Sequence, residues 1–392
     1  MAVFPFTVRA TDSEGSYADR QFNITVRNSR VERFMALTAT DAWTSPDGTT
    51  WTQRNGAGGI SCEYGNGFWL ILKSANDMSC FKSTDGINYA TINAADMIFL
   101  DSTGNSISGP TSIQAKSCKL KFWNGKFWIA IIAGVSYALY STEDGITWKQ
   151  HILYADTNVI TSKIMSSSYL NKVYMTEDNG TLFIPFPFNN TISPDSGYSA
   201  GLGWSTTDGV TFTLLTDISN TGTGKGSAFL TRVNGLYLTQ NAFHNNSQIL
   251  TSYTYSTDGL NWTLQSYGST TPTIGSSSAY MESGFIYVNG MLYTITSKTT
   301  GVAAPLYYYT SNDGLNWTEN TMKSFLSGSC YSQVMFKNGL FLIAPTNAQG
   351  VDETADNTKP NNGIRLSVDG TNWSYVNEQS GLTMAYTDIA AM

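Results

Sequence analysis

The stretch from Ser311 to Trp317 reads SNDGLNW, and it is one of seven copies of the same phrase. Each copy has a Ser or Thr, any residue, Asp-Gly, any residue, Thr or Asn, and then an aromatic residue. The copies occupy residues 45–51, 83–89, 142–148, 206–212, 256–262, 311–317 and 367–373. Because Asp-Gly favours a hairpin turn and a repeat of this length marks one supersecondary unit, seven copies predict seven blades.

A second repeat, Asn-Gly, runs in step with the first. The copies that fall in step are at residues 66–67, 124–125, 179–180, 234–235, 289–290 and 338–339. Asn-Gly between apolar residues is the strongest short-range hairpin signal. Each unit therefore reads strand, Asn-Gly turn, strand, variable loop, strand, Asp-Gly turn, strand, which predicts a four-stranded antiparallel blade.

The expected seventh Asn-Gly is missing, because the sequence ends at Met392, about where that turn is due. The first Asp-Gly follows a short stretch, residues 34–45, that supplies two middle strands. We therefore predict an all-β fold, a seven-bladed β-propeller of four-stranded antiparallel blades over residues 31–392. Its ring is closed by the N- and C-terminal strands, which removes exposed sheet edges.

Residues 1–30 do not follow the blade pattern and form a separate predicted unit. Residues 6–12 and 22–28 alternate in polarity on either side of a Ser-Glu-Gly turn, which predicts a β-hairpin. This pair resembles the last two strands of cadherin-like and immunoglobulin-like domains. Two strands are not stable alone, so we expect the hairpin to dock on the propeller or on a partner.

Composition narrows the function classes. The formal charge is -7 and basic residues are scattered, which argues against a nucleic-acid partner. The longest apolar runs, such as residues 127–133, are far shorter than the roughly 20 residues of a spanning helix, so no membrane insertion is expected. No signal peptide is visible at the N-terminus.

Metal and cofactor chemistry is not expected either. The four cysteines show no CxxC spacing, and the chain has two histidines. These are Cys62, Cys80, Cys118, Cys330, His151 and His244. A zinc site of the usual ligands is therefore improbable, and buried free thiols are the preferred interpretation.

The repeated phrase resembles the Asp-box of sialidase-like and other BNR-type propellers, Ser-x-Asp-x-Gly-x-Thr-Trp, in a variant with Asp and Gly adjacent. In that family the box is a fold element, whose Asp and Ser or Thr bond within the turn. The resemblance implies structural turns, rather than calcium or acid-catalysis sites, at Asp47, Asp85, Asp144, Asp208, Asp258, Asp313 and Asp369. The aromatic that ends each copy is likewise expected in the blade core.

The resemblance to sialidases would imply a site in which three arginines converge on the carboxylate of the substrate. After residue 31 the chain has four arginines, Arg33, Arg54, Arg232 and Arg365, and they fall on different strand types. A common channel position is therefore not expected, and the sequence predicts no catalytic residue and no enzyme.

Specificity is expected on the face opposite the tight turns, where the loops differ from blade to blade. These loops carry Asn, Ser, Thr and Gly with aromatics, which suit the apolar faces and hydroxyls of sugars. The candidate ligand-binding residues are Phe99, Tyr154, Phe188, Tyr198, Phe243, His244 and Tyr267. The alternative is that these are ordinary solvated loops.

Three function classes stay open. The preferred one is a non-enzymatic bacteriophage virion protein, a tail-fibre, baseplate or capsid-surface component that binds a host-surface glycan, since phage adhesion proteins resemble this combination. Expected partners are other virion proteins, a host glycan or a further copy of the chain, with assembly in the host cytoplasm. The second is a glycan-cleaving hydrolase, with candidate carboxylates Glu63, Glu282, Asp101 and Asp156. The third is a purely structural virion decoration.

Overall fold

The structure is a computed structural model of the 392-residue chain. It describes residues 2–26, 31–73, 78–110, 119–133, 136–155, 158–159, 174–185, 201–216, 227–241, 252–266, 285–288, 290–297, 305–326, 335–344, 364–375 and 386–392. Seven sheets each contain a four-stranded antiparallel blade, so the predicted seven-bladed β-propeller is confirmed. The first strand of a blade contacts the first strand of a neighbouring blade, which places these inner strands around the central channel.

Blade 1 combines the two ends of the propeller, and the next two blades are continuous in sequence. From the inner to the outer strand, blade 1 comprises Tyr386–Ala391, Phe34–Thr38, Ala42–Ser45 and Thr52–Arg54. Blade 2 comprises Ser61–Gly65, Phe68–Leu72, Cys80–Ser83 and Ala90–Ile92. Blade 3 comprises Leu120–Trp123, Lys126–Ala133, Ser136–Thr142 and Thr147–His151.

Blades 4 to 7 repeat this order. Blade 4 comprises Thr176–Asp178, Thr181–Pro185, Gly201–Thr206 and Thr213–Thr216. Blade 5 comprises Ser227–Val233, Leu236–Asn241, Ser252–Ser256 and Thr263–Ser266. Blade 6 comprises Ile286–Val288, Met291–Ser297, Pro305–Ser311 and Thr318–Leu326. Blade 7 comprises Met335–Lys337, Leu340–Ile343, Arg365–Ser367 and Ser374–Tyr375.

In blades 2 to 5 and in blade 7, Asn-Gly turns join the first and second strands, as the sequence predicts. In blade 2, Gly65 pairs with Phe68 across Asn66-Gly67, and both turn residues have positive φ, 48° and 81°. A two-residue turn of this type requires φ above zero at both central positions, which Asn and Gly tolerate best. The left-handed Asn recurs at Asn124, Asn179, Asn234 and Asn338.

Ring closure by both chain ends is confirmed. The C-terminal strand runs antiparallel to Phe34–Thr38, with Ala391 opposite Phe34. The backbone N–H of Met392 also donates to the carbonyl of Arg33 at 2.8 Å. This pairing gives blade 1 its fourth strand and leaves no open blade at the seam.

Each Asp-Gly turn is held by its own side chains. In blade 1, Asp47 Oδ1 accepts the backbone N–H groups of Thr49 (2.8 Å) and Thr50 (2.7 Å). The Ser45 hydroxyl donates to the same oxygen at 3.0 Å and accepts the Gly48 N–H at 2.8 Å. The same four bonds recur in the other six copies. These carboxylate oxygens therefore serve the turn.

The core lies between neighbouring blades. Leu70 of blade 2 and Phe127 and Ile129 of blade 3 belong to one buried cluster, and each is fully enclosed. The largest enclosed side chains are tryptophans, at Trp43, Trp69, Trp128, Trp148 and Trp204. Burial of such side chains stabilises each blade interface by about 25 cal/mol for every Å² of apolar surface removed from water.

Among the described residues from 31 onward, three segments lie outside the four-stranded pattern. Ile98–Leu100 adds a fifth strand to blade 3, parallel to its outer strand, and follows a 3₁₀ turn at Ala94–Asp96. A short hairpin pairs Tyr154–Ala155 with Asn158–Val159. None of the helices in the described residues is long and apolar enough to cross a membrane.

The predicted N-terminal hairpin is present, with Ala2–Thr11 paired along its whole length to Tyr17–Val26. Arg9 and Asp19 form a two-bond ion pair at 2.7 Å across the strands, and both are exposed. Residues 7–21 all have exposed side chains. Docking of this hairpin and its status as a separate unit stay predictions.

Candidate active site in the central channel

Asp388, on the ring-closing strand, is the centre of a polar cluster between the inner strands. Its Oδ2 accepts the Ser61 hydroxyl and the Cys62 backbone N–H, both at 2.9 Å. The Ser61 oxygen in turn accepts the backbone N–H of Leu120 at 2.9 Å. Blades 1, 2 and 3 are thereby joined through one buried carboxylate, whose residue is 1% exposed.

Lys119 supplies the opposite charge from the residue just before the inner strand of blade 3. Its Nζ donates to Asp388 Oδ1 and lies 3.5 Å from the Ile389 carbonyl. The same nitrogen lies 5.5 Å from the ring centre of Tyr174, which precedes the inner strand of blade 4. Burial alone would lower the pKa of Lys119, but the adjacent Asp388 charge outweighs burial and the pKa is raised.

Glu63 follows Cys62 on the inner strand of blade 2, and its side chain is partly exposed. Loss of hydration inside the channel raises the pKa of its carboxyl to about 7, and the Asp388 charge acts in the same direction. Lys121, Lys119 and Lys337 oppose this rise. At neutral pH the carboxyl is thus poised to give up or take a proton, as a general acid or base requires.

The chain topology places this cluster at the variable-loop end of the ring. Inner strands begin where the links between blades end and finish at the Asn-Gly turns. Ser61 is the first residue of its inner strand, and Lys119 immediately precedes the next one. Links between blades therefore end beside Ser61 and Lys119, on the face where the sequence predicts specificity.

Among the described inner strands, carboxylates occur at Glu63, Glu177, Asp178 and Asp388. Glu177 and Asp178 directly precede the Asn179-Gly180 turn, at the opposite end of the strand from the loop face. Asp388 is the one that bonds to the strand carrying Glu63. The two carboxyl groups are therefore neighbours across the boundary between blades 1 and 2.

The aromatic residues expected to bind sugar are not brought together in the described part of the chain. Phe99 is 7% exposed and packs edge-on against Tyr140 in the core, which corrects its expected place on a binding surface. The cause is the fifth strand, which folds this part of the link onto blade 3. Tyr154 lies in the short hairpin. The other five, Phe188, Tyr198, Phe243, His244 and Tyr267, lie outside the described residues.

The remaining carboxylates predicted from the sequence are placed as follows. Asp101 lies in an exposed loop, where bonds from Thr103 and Asn105 lower the pKa of its carboxyl to about 2. It is therefore ionised and occupied by its own loop. Asp156 and Glu282 lie outside the described residues.

The arginines occupy different strand positions, so a convergent arginine triad does not form among those described. Arg54, on an outer strand, bonds Glu32 at 3.1 Å and Thr44 at 3.0 Å. Arg232, on an inner strand, lies 5.0 Å from the ring of Tyr237. Arg365 is buried on the third strand of blade 7. No group of three or more His, Cys, Asp or Glu side chains in the described residues could hold a metal ion.

No protein-family model matches the chain, and no curated protein sequence matches it. Three solved structures illustrate what its fold is similar to. A glycosyl hydrolase from Bacteroides ovatus is 11% identical with a TM-score of 0.37, covering 62% of this chain and 83% of the hydrolase. A GH32 β-fructofuranosidase from Bombyx mori is 14% identical with a TM-score of 0.33, covering 66% and 61%.

The third structure comes from the GH130 family of mannoside phosphorylases, which contains glycoside hydrolases that target β-1,2 mannosidic linkages in Candida mannan. It is 11% identical with a TM-score of 0.38, and the match covers 82% of this chain and 92% of that one. At these identities the likeness extends to the fold alone. The resemblances to Asp-box and bacteriophage proteins stay predictions from the sequence.

Solved structures that match the chain include glycoside hydrolases of the GH32 and GH130 families, and the expectation of a non-enzymatic protein, which rested on the dispersed arginines, is corrected. Dispersed arginines argue only against sialidase chemistry. An arginine triad is specific to chemistry on a substrate carboxylate, whereas most glycoside hydrolysis needs a proton-bearing carboxyl and a second carboxylate. Dispersed arginines therefore do not exclude hydrolysis in the channel.

Proposed function

We propose that the protein hydrolyses glycosidic bonds in its central channel, with the Glu63 carboxyl as the proton-transferring group. The observation that carries the proposal is the position of Glu63 beside the buried Asp388 carboxylate, with a pKa raised to about 7 by desolvation. A glycosidase needs one carboxyl group that holds its proton near neutral pH, so that it can protonate the departing oxygen. Glu63 meets that requirement.

Asp388 is suited to a fixed role. Its two oxygens accept bonds from Ser61, Cys62, Lys119 and the backbone N–H of Ile389. A carboxylate so fully occupied is poorly placed to attack sugar carbon itself. We assign it the role of holding the charges around Glu63, and substitution of Glu282, another carboxylate that the sequence suggests, tests that residue as the one that activates water.

The test is hydrolysis of a panel of aryl glycosides and plain oligosaccharides by the full chain. Glu63→Gln keeps the shape of the side chain but cannot donate an acid proton, so kcat should fall by about 10²–10⁴-fold. Glu143→Gln, in the outer Asp-Gly turn of blade 3, is the matched control and should leave kcat unchanged. Absence of hydrolysis by the unsubstituted protein, or full activity in Glu63→Gln, would contradict the proposal.

Glycan attachment in a bacteriophage virion is a separate proposal for the variable loops, and its support is the loop composition and the resemblance found in the sequence. It is compatible with hydrolysis, since both take a glycan ligand. Glu63→Gln separates the two, because attachment should persist when turnover is lost. Mass spectrometry of purified virions tests the location, and absence of the chain would refute the virion role. Sedimentation tests self-association.

A further inference from the structure

The strand that closes the ring also delivers a charge to the candidate active site. Asp388 is the third residue of Tyr386–Ala391, and it bonds to Ser61 and to the backbone of Cys62, next to Glu63. Lys119 reaches it from blade 3. The last strand of the chain therefore completes both the fold and the surroundings of Glu63.

We propose that the Lys119–Asp388 pair is a positioning pair that couples docking of the C-terminal strand to the protonation state of Glu63. The coupling itself is independent of catalysis. Only its consequence for turnover rests on the proposed hydrolase function.

The contacts of this pair reach the strand that carries Glu63. Cys62 precedes Glu63 on the same strand, and its backbone N–H donates to Asp388 of the closing strand. Ser61 fixes the relation between Asp388 and the first residue of the blade 3 inner strand, since it donates to Asp388 and accepts from Leu120. The side chains of Asp388 and Lys119 are 2% and 12% exposed, so solvent screens their charges weakly.

The charged groups that face Glu63 come from three other blades. Blade 3 contributes Lys119 and Lys121, blade 7 contributes Lys337, and blade 1 contributes Asp388. Lys337 is exposed, whereas Lys119 and Lys121 are both partly buried. Asp388 is thus the one negative neighbour among the charges named, and it offsets a surplus of positive charge.

Loss of Asp388 and loss of Lys119 should shift the pKa of Glu63 in opposite directions. Without the Asp388 charge, Lys119 is left uncompensated beside Glu63, and both changes favour the carboxylate. Without Lys119, the Asp388 charge is uncompensated and favours the protonated acid. If the closing strand undocks, Asp388 leaves with it, water enters, and Glu63 loses its proton at neutral pH. The acid is therefore competent only when the ring is closed.

The experiment is a carbon-13 NMR titration of the glutamate carboxyl groups in the full chain, with Glu63→Gln identifying the Glu63 signal. Asp388→Asn keeps an oxygen acceptor but removes the charge, and should lower the Glu63 titration midpoint by about one pH unit or more. Lys119→Met should raise it by a similar amount. The double variant removes a pair with no net charge, so its Glu63 titration midpoint should lie near that of the unsubstituted protein.

Thr387→Val is the matched control on the same strand. Its hydroxyl donates to the carbonyls of Leu37 and Gly59, so the change removes a polar contact of the strand without altering any charge. It should leave the Glu63 midpoint unchanged. A purely structural role for the pair predicts instead that both single variants hydrate Glu63 and lower its midpoint together.

Shifts of the same sign in the two single variants, or no shift in either, would overturn the proposal. If Asp388→Asn does not fold, Lys119→Met decides alone, with an upward shift in support and any other result against. The titration needs no substrate. Opposite shifts in a protein that hydrolyses no glycoside would therefore uphold the coupling and refute the proposed hydrolase.

Discussion

The hydroxyl of Ser61 donates to Asp388 Oδ2 across 2.9 Å and joins two residues that are 327 positions apart. It links the blade that follows the seam of the ring to the strand that closes it. Lys119, 269 positions from Asp388, binds the other oxygen. Closure is therefore held by buried polar bonds in addition to the backbone pairing with Phe34–Thr38.

Asp388→Ala should destabilise the protein by about 3–5 kcal/mol, because it leaves Lys119 buried without its partner and removes the acceptor of three further donors. Urea unfolding at pH 7 measures the change. The exposed Arg9–Asp19 pair supplies the comparison, since Asp19→Ala should give no resolved change. A loss of less than about 1 kcal/mol in Asp388→Ala would show that the closing strand is held by backbone pairing alone.

Glu63→Gln should stabilise the protein at pH 8 but not at pH 4. Desolvation raises the folded pKa of Glu63 to about 7, above the unfolded value, so the folded state prefers the neutral acid. Stability is therefore full below about pH 4.3 and falls as the pH rises through 7, by up to about 3 kcal/mol. Thermal melts of both proteins across this range give the difference. Equal stabilities at pH 8 would contradict the raised pKa.

The same raised pKa sets the rate profile expected of the proposed hydrolysis. Proton donation requires the protonated form of Glu63, so kcat should fall as the pH rises through about 7. A kcat that is flat from pH 6 to 8.5 would exclude Glu63 as the acid whose protonation limits the reaction.

The fold was predictable because its signals are local. Asn66-Gly67 demands positive φ at two consecutive residues, and Asp47 satisfies two N–H groups within four residues of itself. Ring closure could be predicted from the number of turns, because the seventh Asn-Gly pair is missing. The position of Phe99 is not predicted correctly, because an apolar residue in a long polar link does not indicate a parallel partner strand. That partner strand is formed by residues 147–151, further along the chain.

The candidate site was predictable only in part. The sequence points to Glu63 as one of several possible channel carboxylates, but nothing in its neighbourhood distinguishes it, because the charges that set its pKa lie on three other blades. Lys119 and Asp388 were not anticipated. The one sequence signal for Asp388 is a charge inside an otherwise apolar or hydroxyl-bearing strand, Tyr386–Ala391, since a buried charge needs a partner.

His151 should make the interface between blades 3 and 4 sensitive to acid. Its ring packs against Trp128 with centroids 4.7 Å apart and against Phe212 at 5.6 Å, and it bonds Ser141 at 2.8 Å. Burial lowers its folded pKa to about 4, so the folded state prefers the neutral ring. Its contribution is full above the unfolded pKa of about 6.5 and is lost as the pH falls toward 4.

Comparison of the unsubstituted protein with His151→Phe isolates this effect from the titration of other groups. Between pH 7 and pH 4 the unsubstituted protein should lose about 2–3 kcal/mol more stability than the variant, measured by urea unfolding at each pH. Any constant offset from the lost Ser141 bond cancels in this difference. Parallel pH curves for the two proteins would show that His151 takes no part in acid sensitivity.

The repeated Asp-Gly turns should be stabilising elements that fail only in strong acid, and Asp85 is a suitable test. Partial burial opposes ionisation, but the backbone N–H groups of Asn88 and Ile87 prevail and lower the pKa of Asp85 to about 2. Asp85→Ala should therefore cost about 0.5–2 kcal/mol at pH 7, like the loss of a helix cap. This cost should shrink as the pH falls from about 3.9 to 2, because protonation removes the same acceptor from the unsubstituted protein. Thr84→Ala, one residue earlier in the same turn and exposed, is the control and should change stability little at either pH. An undiminished cost at pH 2 would mean that the turn depends on the shape of the side chain and not on its charge.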